Sequence, residues 1–123
     1  MSVPLLVSIV DDDESVRESL PDLIKEFGFA VQAFASAQDY LASPCLDSTR
    51  CLILDVAMPG MSGPELLKEL VFRGYRVPVI FITAHSDARE QAQLRQCGAV
   101  DCLIKPFSEA QLLKALSAAL PLD

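Results

Sequence analysis

Six polar residues stand at the ends of apolar runs, and their types together suggest one chemistry. They are Asp11, Asp12, Asp13, Asp55, Thr83 and Lys105. Carboxylates held close together raise one another's pKa, and a hard divalent cation such as Mg²⁺ relieves this repulsion because it prefers oxygen ligands. An ammonium group and a hydroxyl at the same place complement an anion. A carboxylate nucleophile, Mg²⁺, an ammonium group and a hydroxyl are the components that transfer a phosphoryl group.

Each of these residues also has a purely structural interpretation. An aspartate at a strand end is most often a turn or cap residue, and Asp13 or Glu14 could cap the helix that follows. Thr83 could close a turn, and Lys105 alone would be a solvated charge. The joint occurrence of acids, a threonine and a lysine after four separate apolar runs nevertheless favours a shared site.

The elements that must position these residues can be read from the apolar pattern. Five short apolar runs predict β-strands, over 5–10, 29–34, 51–54, 77–82 and 100–104. Continuous apolar strands are typical of a parallel sheet with helices on both faces. In such a sheet ligands bind beyond the carboxyl ends of the strands, which is where the six polar residues fall.

Helical periodicity fills the segments between the strands, which predicts the α/β class with five helices. Ser36 is expected to cap the second helix, and Ser108 with Gln111 is expected to form a capping box for the fifth. Gly63 and Pro64 are expected to form the cap and the first turn of the third helix, and its apolar residues should turn inward. Those residues are Leu66, Leu67, Leu70 and Val71.

The fourth predicted helix has an unusually thin apolar face. Ser86 or Asp87 should begin it, and its apolar face consists mainly of Ala88, Ala92 and Leu94. We therefore expect this helix to be loosely held.

Size and charge limit the classes of function. The 123 residues, 51% of them apolar and 22% charged, correspond to one ordinary globular domain over 1–123 rather than to a disordered chain. The net charge of −7 argues against direct binding to nucleic acid, which requires basic residues to neutralise phosphates. No apolar run is long enough to span a bilayer, and no charged region precedes the N-terminal apolar stretch, so we expect a cytoplasmic protein without membrane contact.

The four cysteines do not form a metal-binding pattern. Cys45, Cys51, Cys97 and Cys102 include no Cys-x-x-Cys pair, and the single histidine, His85, cannot complete a usual zinc set. Free, buried thiols in a reducing compartment are therefore expected. His85 could affect access of water to the site or could simply be exposed.

Taken together, these motifs resemble the receiver domain of two-component response regulators. The stretch 10–14 resembles the acidic pair of that family, and 55–63 matches its Asp-x-x-Met-Pro-x-Met-x-Gly loop at every fixed position. The segments 82–84 and 105–107 match its two remaining signatures. The resemblance covers about residues 4–120. Within the family, the segments 83–87 and 97–101 resemble those of the FixJ-type branch, whose members usually carry a C-terminal helix-turn-helix domain.

The resemblance implies a phosphorylation site and a Mg²⁺ site. Asp55 would be the phosphoacceptor, attacking the phosphorus of a phosphohistidine on a sensor histidine kinase. Asp12 and Asp55 would bind Mg²⁺ through their side chains, and Asp11 would act largely through bound water. The backbone carbonyl of Ala57 would be the third protein ligand.

The resemblance also implies a switch. Lys105 would pair with Asp55 and then with the phosphoryl group, while Thr83, followed by Ala84, would move toward a phosphoryl oxygen. The peptide bond between Lys105 and Pro106 is expected to be cis. One position departs from the family: its switch aromatic lies three residues before the lysine, where this chain has Cys102. The usual coupling of threonine and aromatic is therefore uncertain here, and Cys102 is read either as a small core residue or as a redox group.

Fold and partners follow from the same resemblance. It implies a doubly wound, CheY-like or flavodoxin-like sheet of five parallel strands in the order 2-1-3-4-5. The chain would be a phosphoacceptor with slow self-dephosphorylation rather than a turnover enzyme. A sensor kinase, an output domain beyond this chain and a homodimer through helix four, strand five and helix five are the expected partners. The expected output is transcription regulation.

Two other hypotheses stay open. The pair Asp11 and Asp13 after an apolar strand superficially resembles haloacid-dehalogenase phosphatases, in which the first aspartate is the nucleophile. That hypothesis leaves the loop after Asp55 unexplained. Alternatively, the chain could be a receiver-like scaffold that no longer switches, which Cys102 mildly favours and the intact set of aspartate, threonine and lysine opposes.

Overall fold

Five parallel strands form a single sheet in the order β2-β1-β3-β4-β5 in the computed structural model, which describes residues 4–84 and 87–120. The strands are β1 (Leu6–Val10), β2 (Ala30–Phe34), β3 (Thr49–Asp55), β4 (Val79–Thr83) and β5 (Asp101–Ile104). The helices are α1 (Glu14–Glu26), α2 (Ala37–Leu41), α3 (Gly63–Phe72), α4 (Ala88–Gln96) and α5 (Glu109–Ala119). The predicted doubly wound α/β fold and its strand order are confirmed.

Both faces of the sheet are buried, as the continuous apolar strands predicted. Along β3, Cys51 and Ile53 pack into a cluster with α1 and α5, whereas Leu52 and Leu54 pack into a second cluster with α2, α3 and α4. This alternation follows from the two-residue period of a strand. The two clusters, one on each face, thereby fix the sheet and the carboxyl ends of its strands.

Polar caps set the beginning of each helix. Asp13, Ser36 and Asp87 each accept a hydrogen bond from a backbone N–H in the first turn of α1, α2 and α4, respectively. Ser108 and Gln111 form the predicted capping box of α5. Ser86 was the alternative to Asp87 as the start of the fourth helix, and it lies outside the described residues. The same is true of His85 and of residues 121–123.

The sequence pattern missed two local features. A 3-10 helix over Pro44–Asp47 precedes β3. The cap of α3 is Ser62 and not the expected Gly63, because the Ser62 hydroxyl and the Glu65 side chain form a capping box, and Gly63 is the first residue of the helix. The hydroxyl network beside the 3-10 helix is buried: Tyr40 donates to Thr49 Oγ1 at 2.9 Å, and Thr49 Oγ1 donates to the carbonyl of Cys45 at 2.6 Å. These bonds fix the start of β3.

Three expectations about burial were wrong. Val71 is 63% exposed, although the preceding Leu70 is buried, because consecutive residues of a helix point about 100° apart and the last turn of α3 directs Val71 away from the core. Of the four thiols, Cys51 and Cys102 are buried, whereas Cys97 is exposed and Cys45 is half-buried. Cys97 caps the end of α4, and Cys45 lies in a short 3-10 helix at the border of the second cluster.

Helix α4 is even more weakly packed than the sequence suggested. Leu94 is its only buried residue, and both Ala88 and Ala92 are exposed. Arg95 adds an ion pair of 3.5 Å to Asp101 on β5. Among the helices of the described chain, none combines the length and apolar character that crossing a bilayer would require.

Candidate functional site

Four strands bring the sequence-predicted residues to one edge of the sheet. Asp11 directly follows β1, Asp55 ends β3, Thr83 ends β4 and Lys105 directly follows β5. The winding of the sheet reverses between β1 and β3, since β2 lies on one side of β1 and β3 on the other. This is the switch point at which open α/β sheets bind ligands.

Three carboxylates converge at this switch point. One oxygen each from Asp11, Asp12 and Asp55 lies within 4.8 Å of the other two. Asp11 is fully buried and Asp55 is 6% exposed, whereas Asp12 is exposed. Hard carboxylate oxygens in a cluster with one solvent-facing side fit a Mg²⁺ ion that keeps several of its water ligands. The predicted convergence of acids from two neighbouring strand tips is confirmed.

Four groups of Asp11 form hydrogen bonds: both carboxylate oxygens, the backbone N–H and the backbone carbonyl. Its Oδ2 accepts from Lys105 Nζ at 3.0 Å, and its Oδ1 accepts from the backbone N–H of Asp13 at 2.9 Å. Its own N–H donates to the carbonyl of Phe34, and its carbonyl accepts from Arg17 Nη1 at 3.0 Å. Both carboxylate oxygens are thus already engaged, which agrees with an indirect role beside a cation.

The acidic cluster changes the protonation of its members. Burial, and after it the charge of Asp11, raise the pKa of Asp55 to about 7, and the ammonium group of Lys105 opposes this only in part. Burial alone would lower the pKa of Lys105. The hydrogen bond and charge of Asp11, with the charges of Asp55 and Asp13, outweigh burial and raise it. The lysine therefore stays charged beside the acids.

The structure differs from the expected pairing of Lys105. The resemblance implied an ion pair with Asp55, whereas among the described residues the ammonium group pairs with Asp11. Its charge still acts on Asp55 at longer range. Both carboxylates are buried, but Asp11 is the one within hydrogen-bond reach of the ammonium group, whereas an oxygen of Asp55 lies close to Asp11 and Asp12.

Close backbone packing sets the position of Asp55. The N–H of Val56 donates to the carbonyl of Ile82 at 3.0 Å, and the N–H of Gly63 donates to the carbonyl of Val56 at 3.0 Å. A Cβ atom built on Gly63 would collide with the carbonyl oxygen of Asp55. Only glycine therefore lets α3 begin directly against the acidic strand end.

A cavity of about 430 Å³ opens beside the acidic cluster, between the loop after β3 and helix α4. Thr83 and Ala57 line it from the sheet side, and Leu94 and Cys97 line it from the helix side. Thr83 is buried, while Ala57 and Ala84 are exposed. The loosely packed helix thus borders free space next to the threonine.

The loop after β5 agrees with the expectation from the sequence. The peptide bond between Lys105 and Pro106 is cis, and the N–H of Lys105 donates to the carbonyl of Thr83 at 2.8 Å. Cys102 lies in the core cluster next to Leu94 and is paired in register with Phe81. Burial, and after it the charge of Asp101, raise the pKa of its thiol, which favours the core interpretation over a redox role.

Two contributors to the site were missed from the sequence. Arg17 binds the backbone of Asp11 from helix α1, and nothing in its spacing distinguishes it from other helix-surface arginines. The close approach of Gly63 to Asp55 was also missed, although its place at the helix start was predicted. A glycine at the first helical position after a buried strand was the available signal.

Comparison with known proteins gives a single consistent result. The family described as "Response regulator receiver domain" matches residues 7–117. Nodulation protein W of Bradyrhizobium diazoefficiens is 43% identical over 122 residues, covering 99% of this chain and 54% of that protein. Transcriptional regulatory protein FixJ of Azorhizobium caulinodans is 42% identical over 120 residues, covering 98% of this chain and 57% of that protein.

A solved structure supports the same relationship. The crystal structure titled FixJ-N superimposes with a TM-score of 0.83 at 38% identity, covering 97% of this chain and 94% of that one. This chain spans about half the length of the curated relatives that it matches.

Proposed function

We propose that this chain, which belongs to the response regulator receiver domain family, accepts a phosphoryl group on Asp55 and passes the resulting change to an output. The family is one of phosphoacceptors rather than turnover enzymes. The observation that carries the assignment is the convergence of oxygens from Asp11, Asp12 and Asp55 within 4.8 Å, with Lys105 bonded to the cluster.

The proposed reaction is a transfer between two side chains. A carboxylate oxygen of Asp55 attacks the phosphorus of a phosphohistidine on a sensor kinase; the N–P bond breaks and an acyl phosphate forms. A Mg²⁺ ion, held by Asp12 and Asp55 with the carbonyl of Ala57, would neutralise charge that develops on the phosphoryl oxygens. Because burial and the charge of Asp11 raise the pKa of Asp55, a bound cation would also favour its ionised, nucleophilic form.

Lys105 and Thr83 are the proposed readers of the modification. Phosphorylation adds close to two negative charges and three acceptor oxygens. Lys105, now paired with Asp11, can turn to the new phosphoryl oxygens, and Thr83 lies at the end of the adjacent strand. The cavity of about 430 Å³ between Thr83 and α4 provides space for that helix to move.

Labelling with acetyl phosphate tests this assignment. Asp55→Asn should abolish the phosphorylated band on a phosphate-affinity gel, and Asp12→Ala should raise the Mg²⁺ concentration that labelling requires. Asp22→Asn, which removes an exposed carboxylate from α1, is the matched control and should label normally. Full labelling of the Asp55→Asn protein would refute the site.

The phosphatase hypothesis predicts a different nucleophile. Both oxygens of Asp11 are hydrogen-bonded and the residue is fully buried, so its access to an incoming phosphorus is poor. Borohydride reduces an aspartyl phosphate to homoserine with release of phosphate, so identifying the aspartate that has become homoserine separates the two. Modification at Asp11 would favour the phosphatase.

The scaffold hypothesis is tested by the state of assembly. Ile104 on β5 and Leu113 on α5 are each 40% exposed, and Val100 before β5 is 39% exposed, which supports a dimer face formed by α4, β5 and α5. Dimerisation that increases with a beryllofluoride mimic of the phosphoryl group supports a working switch. No change in sedimentation would favour a scaffold.

The proposal extends to the whole protein. We assign 1–123 to the receiver domain and infer that an output domain follows it, since relatives have about as much chain again as they share with this one. The relatives' names, which include a transcriptional regulatory protein, support transcription regulation as the output. A sensor histidine kinase as donor and a cytoplasmic location complete the proposal.

A further inference from the structure

Two arginines flank a cavity at the amino edge of the sheet, opposite the edge that carries Asp55. Its volume is about 360 Å³. Its lining consists of Thr49, Arg50, Arg76, Pro78, Ala119 and Leu120. We refer to this space as the arginine cavity.

An irregularity in β3 aims Arg50 at this cavity. Leu6 pairs with Thr49 and Val7 pairs with Cys51, so Arg50 is an extra residue in the ladder between β1 and β3. Both of its neighbours in β3 are buried, whereas Arg50 is exposed. Such bulges redirect a side chain away from the strand alternation. Arg76 reaches the same space from the segment just before β4.

Neither guanidinium has a partner within residues 4–84 and 87–120. Among the described residues, Arg17, Arg73 and Arg95 each bind an oxygen of this chain, whereas Arg50, Arg76 and the helix-surface Arg89 form no hydrogen bond or ion pair, and of these three only Arg50 and Arg76 line a common cavity. The chain has 17 acidic and 10 basic residues, so carboxylates are plentiful. Two guanidinium groups that line one cavity bring two positive charges and several N–H donors to it, which complements an oxyanion.

The remaining walls limit what else the ligand can be. Thr49 offers no free hydroxyl, because its Oγ1 is bonded to Ser8, Tyr40 and the carbonyl of Cys45. Ala119 and Leu120 form an apolar wall at the end of α5. The last carbonyls of that helix carry partial negative charge, so an anion belongs at the arginine side and an apolar group at the helix side.

We propose that the arginine cavity binds a carboxylate carried on a short apolar group. The carboxylate bridges Arg50 and Arg76, and the apolar group packs on Ala119 and Leu120. The same chemistry occurs in a free branched-chain acid and in a peptide segment in which an acidic residue follows an aliphatic one. The site is independent of the proposed phosphorylation of Asp55, because it lies at the other end of every strand.

Titration of the ¹⁵N-labelled protein with isovalerate, monitored by backbone amide shifts, tests the site. Saturable shifts are expected at Arg50, Arg76 and Leu120. Arg50→Gln and Arg76→Gln should each raise the Kd for isovalerate about tenfold or more, the usual effect of losing a charged hydrogen bond. Arg89→Gln removes the same charge from the exposed face of α4 and should leave the Kd unchanged.

Parallel titrations distinguish the ligand sources and the competing explanations. Tighter binding of the peptide acetyl-Leu-Asp-amide than of isovalerate identifies a polypeptide ligand, and the reverse identifies a small acid; both support the site. Equal shifts with isovaleramide would show that the carboxylate is irrelevant and would overturn the proposal. Stronger binding of inorganic phosphate, an equal loss in Arg89→Gln, or no saturable shift with any probe would also overturn it.

Discussion

The ammonium group of Lys105 lies 3.0 Å from Oδ2 of Asp11, although the two residues follow strands that do not touch. β3 and β4 separate β1 from β5 in the sheet, so this ion pair crosses the carboxyl edge above Asp55 and Thr83. It joins residues 94 positions apart in the chain. The pair therefore ties the far side of the sheet to the acidic cluster before any phosphoryl group arrives.

Removing the lysine should destabilise the metal-free protein. Lys105→Ala leaves the fully buried carboxylate of Asp11 without its counter-charge, which should cost about 2 kcal/mol of unfolding free energy. Urea denaturation in EDTA measures this. Lys114→Ala, at an exposed position of α5, is the control and should change stability by less than about 0.5 kcal/mol.

The same Lys105→Ala variant should separate phosphorylation from response. It retains Asp55 and the acidic cluster, so acetyl phosphate should still label it, while the conformational change should be strongly reduced. Amide shifts in α4 and β5 before and after labelling report that change. A normal response in this variant would remove the role proposed for the lysine.

The raised pKa of Asp55 predicts how stability depends on pH without metal. The folded protein holds this proton up to about pH 7, whereas the unfolded chain releases it near the ordinary value of an aspartate. Its contribution to stability is present below that ordinary value and is lost as the pH rises to 7. In EDTA at pH 8, Asp55→Asn should therefore be more stable than the original protein by about 1–2 kcal/mol.

The difference between Asp55→Asn and the original protein should shrink at pH 5, where the folded carboxyl group is already protonated. Chemical denaturation at both pH values, with Asp22→Asn as the control for an exposed acid, gives the comparison. A stability gain that is the same at pH 5 and pH 8 would contradict the proposed cause. Mg²⁺ should reverse the effect at pH 8, since only the original protein keeps the ligand.

Gly63→Ala should damage the site through the backbone. The added Cβ would collide with the carbonyl oxygen of Asp55, so the acidic strand end or the start of α3 must shift. We expect a loss of about 2 kcal/mol in stability and a clear fall in the labelling rate.

Gly74→Ala is the informative comparison for this glycine. Gly74 has φ +88° with open space around it, so alanine there strains the backbone without a collision. It should cost about 1 kcal/mol and leave labelling unchanged. Equal labelling defects in the two variants would mean that lost stability, and not the position of Asp55, is responsible.

Helix α4 should open separately from the rest of the domain. Leu94 is its only buried residue, so Leu94→Ala should speed amide hydrogen exchange in α4 about tenfold while β1 and β3 stay protected. Leu112→Ala, at a fully buried position of α5, should instead lower global stability by about 3 kcal/mol. Uniform acceleration of exchange by Leu94→Ala would contradict this independence.

Residue types and their spacing were enough to identify the fold and the acidic site. Continuous apolar strands, separated by segments with helical periodicity, favour a parallel sheet, and parallel strands put all their carboxyl ends at one edge. Asp11, Asp55, Thr83 and Lys105 each end or follow a strand, so their common edge followed without knowledge of side-chain positions.

Three-dimensional packing determined the partners of those residues. The pairing of Lys105 with Asp11, and not with Asp55, depends on how the ends of β1, β3 and β5 lie relative to one another, and this is set by strands that are distant in the chain. The exposure of Val71 and the position of Arg50 and Arg76 beside one cavity depend likewise on how α3 packs and on the irregular register between β1 and β3. Sequence periodicity records the face of an element, whereas burial and charge pairing arise only when several elements pack together.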